Sequence, residues 1–69
     1  NALVEALTDR EMEVLERLAI GMTNKEIGAE LFITERTVKF YVSAILGKLS
    51  ASNRTEAVSL AIQRGLITL

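Results

Sequence analysis

The chain has 69 residues, 49% hydrophobic and 25% charged, which is one domain's worth of chain with an ordinary globular balance. It contains no His and no Cys, so disulfides, thiol nucleophiles, serine–histidine catalysis and the common zinc sites are excluded. Eight basic residues stand against nine acidic ones, a formal charge of −1, and taken alone this argues against a nucleic-acid partner.

A chain this short buries only about 60% of its unfolded surface. With no covalent staple, its stability must come from helix packing. No apolar run reaches the length of a membrane span, and no basic-then-apolar leader is present. The chain opens on Asn1, which suggests a piece of a longer protein. Residues 1–7 read as a linker or a lead-in helix, and 8–69 as the domain proper.

Four helix starts follow in chain order. Thr8-Asp9-Arg10-Glu11 and Thr23-Asn24-Lys25-Glu26 are capping boxes. In each, the Thr oxygen accepts a free backbone N–H, and the Glu three residues on reaches back to the cap. Thr34 precedes an acidic first turn at Glu35, which suits the helix dipole. Asn53-Arg54-Thr55-Glu56 repeats the box with Asn as cap. Gly21, the Phe32-Ile33 stretch, Ser50–Ser52 and Gly65 are the stops. The pattern predicts an all-α fold of four helices near 9–20, 24–31, 35–49 and 54–64. No segment of useful length alternates with period two, so no strand is expected.

Each helix has one apolar face. In the first, Met12, Val14, Leu15, Leu18 and Ala19 share an arc. Glu11 falls inside that arc, and two readings of it stand: the capping box, or a partly buried ion pair with Arg54 as a possible partner. In the second helix Ile27 and Leu31 point inward. In the third, Val38, Val42, Ile45 and Leu49 make one seam, with Tyr41 on its flank. In the fourth, Ala57, Val58 and Ala61 lie together.

The middle pair is the most informative. A helix of about 12 Å is followed by one of about 22 Å, with only Phe32, Ile33 and Thr34 between them. That is the helix-turn-helix arrangement, whose second helix enters the DNA major groove. Gly28 fits it, as a position where the third helix could cross closely. An ordinary helical hairpin has the same spacing. The face opposite the seam favours the first reading: Arg36, Phe40, Ser43 and Gly47, flanked by Lys39 and Ala44. A solvated face is usually rich in Glu, Lys and Gln, whereas this one is small, aromatic and cationic. Lys39 can donate to guanine O6 and N7, Ser43 can pair with several bases, and Phe40 can touch a thymine methyl. The competing reading of Phe40 is a stray surface aromatic or a protein contact. Gly47 in an exposed helix costs roughly 1 kcal/mol against Ala, and a close approach to a groove wall is one reason to keep it.

Taken in order, Leu7-Thr8-x-Arg10-Glu11-x-Glu13-Val14-Leu15, Gly21-x-Thr23-Asn24-Lys25-Glu26-Ile27, Thr37-Val38-Lys39, Lys48-Leu49 and Asn53-Arg54-Thr55-Glu56-Ala57 resemble the LuxR-type helix-turn-helix domain. This is the C-terminal output module of NarL/FixJ-type response regulators and of quorum-sensing regulators. The resemblance runs from about Leu7 to Leu66, and its strength lies in several spaced motifs in order. It implies sequence-specific binding of double-stranded DNA, with helix 35–49 in the major groove and a homodimer formed through helix 54–64. It places Lys39, Phe40 and Ser43 at base-contacting positions. Asn24, Lys25, Thr37 and Lys48 fall at phosphate-contacting positions, and Arg36, at the edge of the same face, is a further phosphate candidate. A regulatory domain upstream, contact with RNA polymerase and a cytoplasmic location, on the nucleoid when bound, come with the resemblance. The chain departs from the family pattern at Tyr41, where many members have His, at Gly28, where Ala is usual, and at Ser50, where Gly is usual.

On the fourth helix Leu60 and Ile62 flank the core stripe, with Ser59 and Gln63 further out. They make either a wide core face or a small two-fold dimer patch. A patch so small predicts a mostly monomeric fragment that dimerises on DNA. Asp9/Glu13 and Glu26/Glu30 are helical carboxylate pairs of the ordinary solvated kind. No catalytic residue, metal or cofactor is expected. The rival readings are a helix-turn-helix that binds polymerase or another regulator with little DNA affinity, and the promoter-reading domain of sigma factors. The Asn53–Ala57 motif favours the LuxR type over the latter. Residues 1–35 carry a balance of −5 and residues 36–69 a balance of +4. The near-neutral total therefore hides a basic half that contains the candidate groove reader.

Overall fold

The computed structural model describes residues 6–68. Four helices follow one another: α1 (Asp9–Ala19), α2 (Asn24–Leu31), α3 (Glu35–Leu49) and α4 (Arg54–Gln63). There is no strand among the described residues. Residues 1–5 of the expected lead-in lie outside the described part, and 6–8 are not helical.

All four caps form, but the box expected at Asn53 is only half made, because the Glu56 carboxylate accepts from the Ser52 N–H at 2.6 Å and not from the cap's own N–H. Thr8 and Thr23 make complete capping boxes with Glu11 and Glu26. Thr34 accepts the N–H of Thr37, and Asn53 accepts the N–H of Glu56. The ends share one device, a left-handed residue followed by a backbone bond that reaches back five residues. At α1 it is Gly21, φ +89, with the Met22 N–H donating to the Arg17 carbonyl at 3.1 Å. At α4 it is Gly65, φ +72, with Leu66 N–H donating to Ala61. These turns end α1 and α4 one residue before the expected 20 and 64. At α2 and α3 the left-handed residue has a side chain: Phe32, φ 59, and Ser50, φ 55. Ser50 thus occupies a conformation that costs an L-residue roughly 1–2 kcal/mol, which explains why Gly suits that position.

The third helix lies against each of the other three. Val38, Ile45 and Leu49 on α3 are essentially inaccessible, together with Val14, Leu15, Ile27, Ala57 and Ala61. Leu18, Leu31 and Ile67 complete the core. Met12, Ala19, Val42 and Val58 pack around it, half-buried. Tyr41 does the same, so its ring packs against the core edge. Ile67, beyond the last helix, was not expected in the core. The Gly65 turn brings the chain back there.

Gly28 is buried, and its neighbour is not the body of α3. A Cβ at this position would stand 2.7 Å from the Ile33 carbonyl oxygen and 3.4 Å from the Glu35 nitrogen. The close approach expected at Gly28 is therefore made by the turn. The bond from Ile33 N–H to the Gly28 carbonyl, 2.9 Å, draws that turn down onto α2.

Candidate nucleic-acid interface

The apolar seam of α3 fixes which residues can face outward. With Val38, Ile45 and Leu49 buried, Arg36, Lys39, Phe40, Ser43 and Gly47 are all exposed. Phe40 keeps 69% of its surface in water. Arg36, Lys39, Phe40 and Ser43 line one shallow hollow on this face, so the three expected base-contacting residues are together. Ala44 is half-buried. A Cβ on Gly47 would meet nothing within 4 Å, so no internal packing demands a glycine there. Thr37 is half-buried, its hydroxyl 2.9 Å from that of the cap Thr34.

The basic residues divide into two groups. Arg10 pairs with Glu13, Arg17 with Glu30 at 2.6 Å, and Lys48 with Glu11 at 2.7 Å. Arg54 donates to Asn24 Oδ1 and to the Met22 carbonyl. Lys25, Arg36, Lys39 and Arg64 have no acidic or hydrogen-bonding partner among the described residues. The first three are the exposed cations at the start of α2 and on the outer face of α3. A fold that leaves these three unneutralised presents them to an external anion.

Lys48 is different. Its side chain is 18% exposed and that of Glu11 8%. The ammonium donates to Glu11 Oε1 at 2.7 Å and to the Ala6 carbonyl at 3.2 Å. Burial by itself would raise the Glu11 pKa, but the hydrogen bond from Lys48, the backbone N–H of Thr8 and the Lys48 charge outweigh it. The carboxyl is held below its usual value. Both readings of Glu11 are therefore true at once: it closes the capping box and forms a buried ion pair. The partner is Lys48, not Arg54, because Lys48 sits in the last turn of α3 beside the Ile45–Leu49 seam. Arg54 instead bridges to the start of α2. Neither long-range contact is visible in local spacing, although a carboxylate inside an apolar arc was a signal that a cation had to meet it.

On α4, Leu60 is half-buried and Ile62 is 39% exposed. Neither is among the described core residues or the partly buried ones packed on them. Ser59 and Gln63 are exposed, with Gln63 Nε2 3.4 Å from Ser59 Oγ. No group of three or more potential metal ligands occurs among the described residues. No helix there is long and apolar enough to cross a membrane.

A short helix, a turn seated on a glycine and a longer helix with an unpaired cationic face define a helix-turn-helix module. The chain belongs to the luxR family of bacterial regulatory proteins, whose family model matches residues 5–61. It is the LuxR-type helix-turn-helix domain found in transcriptional regulators. It is 52% identical over 63 residues to the transcriptional regulatory protein LiaR of Bacillus subtilis, covering 91% of this chain and 30% of that protein. It is 51% identical over 65 residues to the response regulator VraR of Staphylococcus aureus, covering 94% and 31%. Among solved structures it is similar to the response regulator ChrA of a heme-sensing two-component system, with a TM-score of 0.87 at 44% identity, over 91% of this chain and 31% of that one. It is also similar to VqmA of Vibrio cholera in a ligand–DNA complex, with a TM-score of 0.84 at 33% identity, over 88% and 27%. The chain spans about three-tenths of the length of the curated relatives it matches.

Proposed function

We propose that this domain binds double-stranded DNA in a sequence-specific way, as the output domain of a bacterial transcriptional regulator, and catalyses nothing. Helix α3 lies in the major groove. Lys39, Phe40 and Ser43 read base edges, while Asn24, Lys25, Arg36 and Thr37 fix the register on the phosphates. Lys48 keeps one ammonium N–H for a phosphate while Glu11 and Ala6 hold the other two. The observation that carries this reading is the selective pairing of cations. Lys25, Arg36 and Lys39 are left without internal partners among the described residues, although the chain has more acidic than basic groups. That a similar structure, VqmA, was solved with DNA supports the same reading.

Two copies read two half-sites, associating through Ser59, Leu60, Ile62 and Gln63 of α4. One exposed Ile and one half-buried Leu make a weak patch, so the isolated chain is monomeric and pairs on DNA. A tight dimer in sedimentation without DNA would refute this. The sensing function, contact with RNA polymerase and the cytoplasmic location belong to the same proposal, with the signal received by the part of the protein outside these 69 residues.

The test is selection of bound duplexes from a random pool, repeated at two salt concentrations. The expected result is a two-fold-related motif whose enrichment persists at the higher salt. If no duplex is enriched, the second reading takes over. Phe32 at 94% exposure and Phe40 at 69% would then mark a surface for polymerase or another regulator.

A further inference from the structure

We infer that Arg54, at the first position of α4, is a positioning residue for phosphate binding, acting through the side-chain amide of Asn24. This rests on the DNA-binding reading above. Arg54 Nη1 donates to Asn24 Oδ1 at 3.0 Å, and Nη2 donates to the Met22 carbonyl at 2.7 Å. The contact joins residues 30 apart in the chain. A guanidinium has five donors and no acceptor. It can therefore face only the oxygen of the Asn24 amide, and the NH2 group must point away from it. One hydrogen bond thus turns an ambiguous amide into a one-sided donor.

The setting gives that donor a use. Asn24 and Lys25 are the first two residues of α2, where backbone N–H groups have no helical acceptor. The Thr23 cap and Glu26 satisfy each other in the capping box. The N–H groups of Asn24 and Lys25 have no acceptor among the described residues, and the Lys25 ammonium is exposed. The Asn24 NH2 joins this set, so two backbone N–H groups, an amide NH2 and an ammonium are offered there to a phosphate oxygen, beside the one anionic group of that turn, the Glu26 carboxylate that the Thr23 N–H holds. The second bond, to Met22, ties down the chain just before the cap. Arg54 itself is half-buried and acts from behind. Its own charge is not what meets the anion.

The test is a double-mutant cycle read by duplex affinity and by its salt dependence, with thermal unfolding followed in parallel. Arg54→Lys keeps the charge but cannot hold both acceptors in one fork. It should weaken binding to all duplexes by roughly three- to tenfold and flatten the log K against log salt slope by up to about 0.9, one phosphate contact. Asn24→Ala should do the same, and Arg54→Lys should add little in the Asn24→Ala background. Asn24→Asp keeps an acceptor for Arg54 and so should stay folded. It loses the NH2 and should bind all duplexes more weakly. Unchanged binding in Asn24→Asp, or fully additive losses in the cycle, would overturn the inference. Failure of the unmodified chain to bind any duplex would instead overturn the DNA-binding reading, and the inference with it.

Discussion

Lys39 and Lys48 sit on the same helix and carry the same charge, yet their surroundings are opposite. Lys39 lies on the open face of α3 with no partner among the described residues. Lys48, in the last turn, is drawn in by a buried carboxylate and by the Ala6 carbonyl. The difference lies in what the rest of the fold brings to each. α1 delivers Glu11 to one end of α3, and no acidic side chain among the described residues reaches Lys39 toward the other. A basic residue on a recognition helix therefore offers its whole donor set to a phosphate or a base only when no acid from another element reaches it first, and Lys48 has a single N–H left to offer.

The largest effect should come from cutting the occupied end. Lys48→Ala leaves Glu11 buried without its cation and should lower the unfolding free energy by about 2–3 kcal/mol in urea titration, toward the low end for a broken buried pair because Lys48 keeps some solvent contact. An unchanged midpoint with weakened DNA binding would make Lys48 chiefly a phosphate ligand and dissolve the contrast. The same pair sets an acid limit. The folded Glu11 pKa lies below its unfolded value, so its contribution is fully present above roughly pH 4.3. It is lost as the pH falls through the folded value. Lys48→Ala should show a smaller loss over that window.

At the open end, Lys39→Ala should leave unfolding unchanged and weaken binding to the selected site by roughly 1–3 kcal/mol, with less effect on random duplex. Ser50→Gly, just past the occupied end, should raise stability by about 1 kcal/mol by relieving a left-handed L-residue, seen as a higher urea midpoint with affinity unaltered. The smallest effect is assigned to Lys25→Ala. It should weaken all duplexes alike and flatten the salt slope by about 1.

The helices were legible because their start signals are local. Thr8, Thr23, Thr34 and Asn53 each act on a backbone N–H three residues away, so the sequence carries the whole interaction. The open face of α3 was legible for the same reason, since Val38, Ile45 and Leu49 share one helical period. What could not be read were contacts that depend on how helices dock. The Glu11–Lys48 pair, the Arg54–Asn24 bridge and the return of Ile67 to the core join points that only the tertiary fold makes neighbours. Glu11 announced that it needed a partner, but not which one.

The buried Gly28 has a consequence for exchanging parts between relatives. The turn rests on that residue's bare backbone, and α3 starts directly from the turn, so the glycine sets the pitch at which a helix of about 22 Å leaves its support. A hybrid that moves the exposed residues of α3 onto a scaffold with alanine at this position would carry the same letters on a re-aimed rod. The displacement would be small at the turn and largest at the far end. Grafts of recognition residues between these proteins should therefore include the residue beneath the turn.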